Sequence, residues 1–455
     1  MSTSFSTIAT LQQALEAGEI TAVQLTEQAL ARIADPAGEG ATTFLSVYKD
    51  QALAAAQASD VLRQAGLKRS ALEGIPISIK DLFDYKGDIT KGASVLLNAA
   101  PAATENATLV QRLMNAGAII IGRTNMTEFA FSGLGINPHY GTPKAPWQRH
   151  EGSGHIPGGS SSGAGVSVAD GMAVAAIGTD TGGSIRIPAA FCGITGFKPT
   201  ADRIPTDGVM PLSHSLDSSG PLGLSVACCA TVDAVLSGEP EPELQMLPLS
   251  EMRFLLPTNY VMAHADDTVR QHFEAAVAKL EAQGAHIERA EIPALDHLAY
   301  LNRLGGLVCP EAFYYHKEHI EKHQERYDPR VASRILLGAK QSAEEYISLQ
   351  QAREEWIVQM EALLAPYDGL IMPTTPVVPP TIAELADEDE YFKANGRILR
   401  NPAIINFLNG CALSIPCHPA GSAPVGFMLA APAHHDAYLL NVGHTIESII
   451  SMPIA

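Results

Sequence analysis

The sequence predicts an α/β fold, a large mixed and mostly parallel β-sheet covered by helices on both faces, and two stretches carry that prediction. In the first, Gly74 to Lys80 alternates, with Ile75, Ile77 and Ile79 on one side and Ser78 and Lys80 on the other. From Asn106 a helical pattern of Leu109, Val110, Leu113 and Met114 runs to Gly117, suited to the position just past a helix end. Ala118 to Ile121 follows as an apolar strand. In the second, Met252 to Leu256 reads as a strand, and Val269, Phe273, Val277 and Leu280 share a helical face up to Gly284. His286 to Glu288 then starts another strand. Strand, helix and strand in alternation imply parallel pairing through crossover helices.

The remaining elements extend this layout. Two helices open the chain; Thr21 to Gln24 has capping-box spacing, and Leu25, Ala29, Leu30 and Ile33 recur on one face before Pro36. Residues 311–366 read as mainly helical, and Leu370 to Met372, Ala412 to Ile415 and Val425 to Leu429 return to strand character. Gly238 to Pro242 is a connection between two parts of the fold, too short for an inter-domain linker. With no tandem repeat or low-complexity tail, residues 1–455 are expected to form a single domain.

Composition bounds the function. Of 455 residues, 46% are hydrophobic and 17% charged, ample for a large core. The formal charge of −19 repels phosphate backbones and anionic lipid, so neither nucleic acid nor membrane is an expected partner. No apolar run approaches the roughly 18–20 residues that span a bilayer, and Met1 to Thr7 lacks the pattern of a secretory signal. Six cysteines form no CxxC pair, and the adjacent Cys228 and Cys229 suit a disulfide poorly. They read as buried thiols in a reducing compartment, which predicts a cytoplasmic protein.

The chemistry concentrates between Pro157 and Thr200, where Gly158 to Gly163 and Gly182 to Ser184 form two Gly/Ser clusters around small residues and a short apolar strand. A flexible linker fits poorly, because structured text flanks both clusters. A phosphate loop also fits poorly, since no Gly-Lys-Ser/Thr follows the glycines. Consecutive glycines let backbone N–H groups converge on a substrate oxygen, so Thr181, Gly182, Gly183 and Ser184 are candidate oxyanion donors with Ser184 as attacking hydroxyl. A serine needs a base, and no histidine lies nearby in sequence. Lys80 is an alternative if desolvation keeps it neutral, although spacing alone reads it as a surface lysine.

Pro157 to Thr200 closely resembles the signature of the amidase signature family. Gly74 to Asp81 resembles its lysine strand, Gly122 to Phe129 its acyl-pocket segment, and Tyr367 to Pro376 and Ala412 to Leu429 its C-terminal strands. The resemblance covers about residues 10 to 447. It implies a Ser–cis-Ser–Lys arrangement with Ser184 as nucleophile, Lys80 as base, and a bridging serine lying before a cis peptide bond, Ser160 ahead of Ser161. Asp180 and Arg186 match signature positions and are read as holding the loop. The implied activity is hydrolysis of small or aryl amides through an acyl-enzyme, extending to esters and carbamates, with no cofactor and no metal. Met126, Phe131, His139 and Ser161 are candidate substrate contacts, and residues 295–345 and 385–410 are expected to form a variable pocket portion. A monomer or homodimer is expected.

Two other signals weigh less. His316, His319 and His323 share a helix face, but the stretch is no HExxH motif and reads as a solvated face. The alternative function is the glutaminase-type component of a tRNA-dependent amidotransferase complex. Such components hold the glutamine amino group with an acidic residue before the strand at Ala412, whereas Asn395 to Pro402 contains no Asp or Glu.

Overall fold

The computed structural model describes residues 5–451. Met1 to Ser4, on which part of the reading of the N-terminus rests, lie outside the described residues.

Among the described residues, eleven strands form one sheet: β1 (Phe44–Val47), β2 (Pro76–Lys80), β3 (Ile119–Thr124), β4 (Ala175–Asp180), β5 (Thr195–Lys198), β6 (Ser218–Gly223), β7 (Arg253–Pro257), β8 (His286–Ala290), β9 (Gly369–Pro373), β10 (Cys411–Pro416) and β11 (Gly426–Ala431). Their order is β1-β3-β2-β4-β6-β5-β10-β11-β9-β7-β8. The sheet is mixed, as expected, but its balance differs from the expectation of mostly parallel pairing. Parallel pairs lie on the flanks, where β2 joins β3 and β4, and β7 joins β8 and β9. The centre, from β4 through β6, β5, β10 and β11 to β9, is antiparallel, and so is the β1–β3 edge. The reason is local. The helices Thr108–Asn115 and Asp267–Ala282 supply the crossovers that parallel pairs require, and these were the units legible in the sequence. The central strands meet by tertiary pairing that no local period announces.

Alternate residues of the strands feed different cores. Ala175 and Ile177 of β4 join Ile77, Ile79, Leu25, Ala29 and Leu109, whereas Ala176 packs with Ala164, Val166 and Ile185 on the other face. Leu413 and Leu429 face one layer; Ala412 and Met428 face another. Helices therefore cover both faces, and every residue of β2 is buried. That placement overturns the surface reading of Lys80. The capping box at Thr21 and Gln24 is formed, and Gly117 takes φ +89° just past its helix. His316 departs from the solvated reading: it is buried against Phe129 and hydrogen-bonded to Tyr327, while His319 and His323 are exposed.

Among the described residues, no helix is long and apolar enough to cross a membrane.

Candidate active site

Three chain segments meet at the C-terminal ends of β2 and β4. Lys80 ends β2 and is 0% exposed. Its Nζ donates to Ser160 Oγ at 2.8 Å and Thr179 Oγ1 at 2.7 Å. Burial pushes its pKa from 10.5 down to about 7, with the carboxylates of Asp217 and then Asp180 opposing the shift. No carboxylate lies within ion-pair distance of its amine among the described residues.

The first Gly/Ser cluster is packed. A Cβ on Gly163 would stand 2.5 Å from the Thr43 carbonyl oxygen, so only glycine admits that approach. The cluster opens the helix Ser162–Ala169, tied to β2 by a 2.9 Å hydrogen bond between Ser167 and Ser78. The Gly159–Ser160 peptide bond is cis, on the N-terminal side of Ser160 rather than after it. The Ser160 carbonyl accepts from Thr127 N–H at 3.1 Å. Ser161 turns elsewhere: its hydroxyl donates to the Thr179 carbonyl at 3.2 Å, and its N–H donates to the Ser184 carbonyl at 3.2 Å. Lys80 thus reaches Ser160 and not Ser161, while Ser161 clamps the two clusters together.

The second cluster forms the turn after β4. Asp180 organises it, accepting Gly183 N–H at 2.8 Å, Ile185 N–H at 3.1 Å, two bonds from the Arg186 guanidinium and one from Asn406. Burial alone would raise the Asp180 pKa, yet Arg186 beside it holds the carboxyl well below the usual carboxylate range. Gly183 N–H is therefore committed to Asp180, which corrects its assignment as an oxyanion donor. Among the described residues, the N–H groups of Thr181, Gly182 and Ser184 donate to no protein acceptor, and all three residues line a cavity of about 290 Å³. No hydrogen bond within the described residues reaches the Ser184 hydroxyl. The Thr181 hydroxyl donates to half-buried Asp217, which also accepts from Leu212 N–H at 2.9 Å and Ser213 N–H at 3.0 Å. Burial pushes the Asp217 carboxyl up to about 6.

The cavity wall beyond Ser184 comes from Phe131, from Leu298 to Val308, from Arg334, and from Gly396 to Phe407. Of the four predicted substrate contacts, Phe131 lines the cavity and Met126, His139 and Ser161 do not. Phe129 and Ala130 take positive φ, turning the chain so that Met126 packs inward against Phe129 and Leu82. His139 is drawn onto buried Glu128, with Nε2 2.9 Å from Oε1. Sequence reasoning missed Thr179, Asp217, Asn406, Arg334 and Arg400. Thr179 had a signal, standing one residue before Asp180 in the same motif; the others come from distant segments. Among the described residues, no group of three His, Cys, Asp or Glu could hold a metal.

A sequence model described as Amidase matches residues 24–440. The protein is 36% identical over 415 residues to the 2-amino-5-chloromuconic acid deaminase of Comamonas testosteroni, covering 89% of each chain. It is 33% identical over 479 residues to one component of the glutamyl-tRNA(Gln) amidotransferase of Symbiobacterium thermophilum, covering 97% of this chain and 96% of that one. A crystal structure of an amidase superposes with a TM-score of 0.87 at 29% identity, over 97% of this chain and 99% of the other. The peptide amidase of Stenotrophomonas maltophilia gives 0.81 at 25% identity, over 97% and 96%.

Proposed function

Because this chain belongs to the amidase family and is a C–N bond hydrolase, we propose that it cleaves small amides through an acyl-enzyme on Ser184. Neutral Lys80 accepts a proton from Ser160 as Ser160 takes one from Ser184, whose oxygen attacks the amide carbonyl. The N–H groups of Thr181, Gly182 and Ser184 receive the oxyanion. The relay then runs backwards, protonating the leaving nitrogen, and water attacks the acyl-enzyme with the same relay as base. Closing the Ser160–Ser184 link requires the Ser184 hydroxyl to turn on substrate binding, since catalytic hydrogen bonds often tighten only in the Michaelis complex.

The observation that carries this reading is a buried amine, with no carboxylate at ion-pair distance among the described residues, hydrogen-bonded to the serine of the first cluster. Attack at a carbonyl is common to amides, esters and carbamates, so all three are within reach of the chemistry. A panel of anilides, aliphatic amides, esters and carbamates on wild type and Ser184→Ala tests it, together with labelling by a neutral fluorophosphonate. Turnover and labelling that depend on Ser184 are expected; hydrolysis surviving in Ser184→Ala would refute the acyl-enzyme.

The second reading, a glutaminase-type component of a larger complex, has the amidotransferase relatives in its favour. Against it, the cavity lining contains no Asp or Glu to hold an ammonium group. Efficient ammonia release from glutamine would restore it. The segments 295–345 and 385–410 are proposed to set substrate choice, and small soluble substrates, without nucleic acid or membrane, to be the only partners needed.

A further inference from the structure

The turn that carries the oxyanion donors is held at both ends. Asp180 accepts Gly183 N–H at one end, and Asp217 accepts the Thr181 hydroxyl at the other. Asp217 ends the loop 211–217, which leads into β6, and its second oxygen accepts the N–H groups of Leu212 and Ser213. His214 in that loop is exposed. A loop at the surface keeps one shape only where its polar groups are tied to something rigid.

The tie is Glu311, on the first turn of the helix Val308–His323. Its carboxylate is buried and both oxygens are occupied. Oε2 accepts the Ser213 hydroxyl and, at 3.1 Å, Ser215 N–H; Oε1 accepts the Tyr346 hydroxyl at 2.8 Å. Ser213 is the link, giving its hydroxyl to Glu311 and its N–H to Asp217, so that one residue joins the two carboxylates. Arg353 braces the same loop, with Nη1 donating to the Ser215 carbonyl at 3.2 Å. Among the described residues, no lysine or arginine lies within ion-pair distance of Glu311; the imidazole of exposed His214 is 3.5 Å away. A carboxylate taken out of water without a firm cationic partner is costly, and the three donated hydrogen bonds offset it. An apolar side chain would fill the space without that cost, but would leave the Ser213 hydroxyl and Ser215 N–H unpartnered.

We propose that Glu311 is a positioning residue for the oxyanion site: through Ser213 it holds Asp217 against the Thr181 hydroxyl, and so keeps Thr181 N–H aimed at the substrate's carbonyl oxygen. This rests on Thr181 as an oxyanion donor in the Ser184 reaction, and adds a residue that touches neither substrate nor a reacting atom. Leu212 and Leu216 of the same loop line the cavity, as do Leu307 and Val308 beside Glu311. The wall that receives substrate and the turn that receives the oxyanion therefore share one support.

The test measures kcat per active site, with sites counted by complete Ser184 labelling with the neutral fluorophosphonate. Glu311→Ala should lower kcat by roughly 10- to 100-fold, between the loss of one hydrogen bond and the loss of an oxyanion donor, with KM changed less. Glu311→Gln should restore most of it, since an amide oxygen can accept from Ser213 and Ser215 while the amide NH2 faces Tyr346. Thr181→Val removes the hydroxyl on which the influence of Glu311 ends, so adding Glu311→Ala to it should cost little more. Should Glu311→Ala fail to fold, Ser213→Ala cuts the link and leaves the carboxylate its other two bonds; kcat should fall roughly 2- to 10-fold. Unchanged kcat per site in Glu311→Ala or Ser213→Ala, a fall confined to KM, glutamine no better than alanine, or the full loss repeated on the Thr181→Val background would overturn the proposal. Wild type that labels, with kcat per site unmoved in Glu311→Ala, removes only the positioning role, whereas wild type that does not label removes the nucleophile on which it rests.

Discussion

Lys80 and Lys198 end β2 and β5, and both are fully buried. Burial lowers both pKa values, Lys80 to about 7 and Lys198 to about 8. Their partners differ. Lys198 Nζ donates to the carbonyls of Pro199 at 2.8 Å and Gly410 at 2.7 Å, groups that can accept a proton's hydrogen bond but cannot pass a proton on. Lys80 donates to two hydroxyls, and a hydroxyl both accepts and donates. Desolvation therefore makes a lysine titratable near neutrality, and the chemistry of its neighbours decides whether that has a catalytic use. Lys198 ties β5 to the turn before β10. In the proposed mechanism, Lys80 begins a relay.

The contrast can be broken most directly by substitution. Lys80→Ala should lower kcat by about 10⁴-fold or more, the scale seen when one member of a catalytic unit is removed. Lys198→Met should leave kcat per folded molecule near wild type. It strands two buried carbonyls and should destabilise the fold by about 2–4 kcal/mol, read from urea melts. Equal activity losses in the two variants would erase the distinction. Thr179→Val removes one of the two hydroxyls on the Lys80 amine. A fall in kcat of roughly 10-fold, with KM little changed, is expected from the loss of one hydrogen bond to a reacting group.

A finer test concerns Asp217. Its carboxylate raises the proton affinity of Lys80 above what burial alone would set. Asp217→Asn should therefore move the acid limb of the kcat/KM profile to lower pH. A shift to higher pH would contradict the assignment of Asp217 as the larger of the two opposing charges. In the same substitution the amide oxygen can keep the Leu212 and Ser213 N–H bonds while the amide NH2 donates to the Thr181 hydroxyl, so the turn at Gly182 should hold.

These residues also mark how far the sequence could be read. The Gly/Ser clusters and the two crossover units were legible, because a motif or a period within a short stretch specifies each of them, whereas Lys80 was singled out by the family resemblance alone, its spacing reading as a surface position. Thr179 and Asp217 act on Lys80 only because β4 lies between β2 and β6, a pairing with no local signature. Arg334 and Arg400 lie far along the chain from Ser184 and are brought to the cavity by the helices Pro329–Leu337 and Glu388–Leu399. Met126 and His139 were misread because left-handed residues at Phe129 and Ala130 and the buried Glu128 redirect the segment that carries them. Gly183 was misread for a related reason: the donor count of a glycine turn does not say which donors Asp180 already occupies.

The proton affinity of one amine underlies all of this, and the rate of Ser184 modification by a neutral fluorophosphonate, measured from pH 5 to 10, reports it without any assumption about substrate. The rate should climb through a single ionisation near pH 7, as the Lys80 ammonium gives up its proton, and level off above it; the limb should vanish in Lys80→Ala. A rate that is flat across the range, or one still climbing towards pH 10, would mean that Lys80 is not the base.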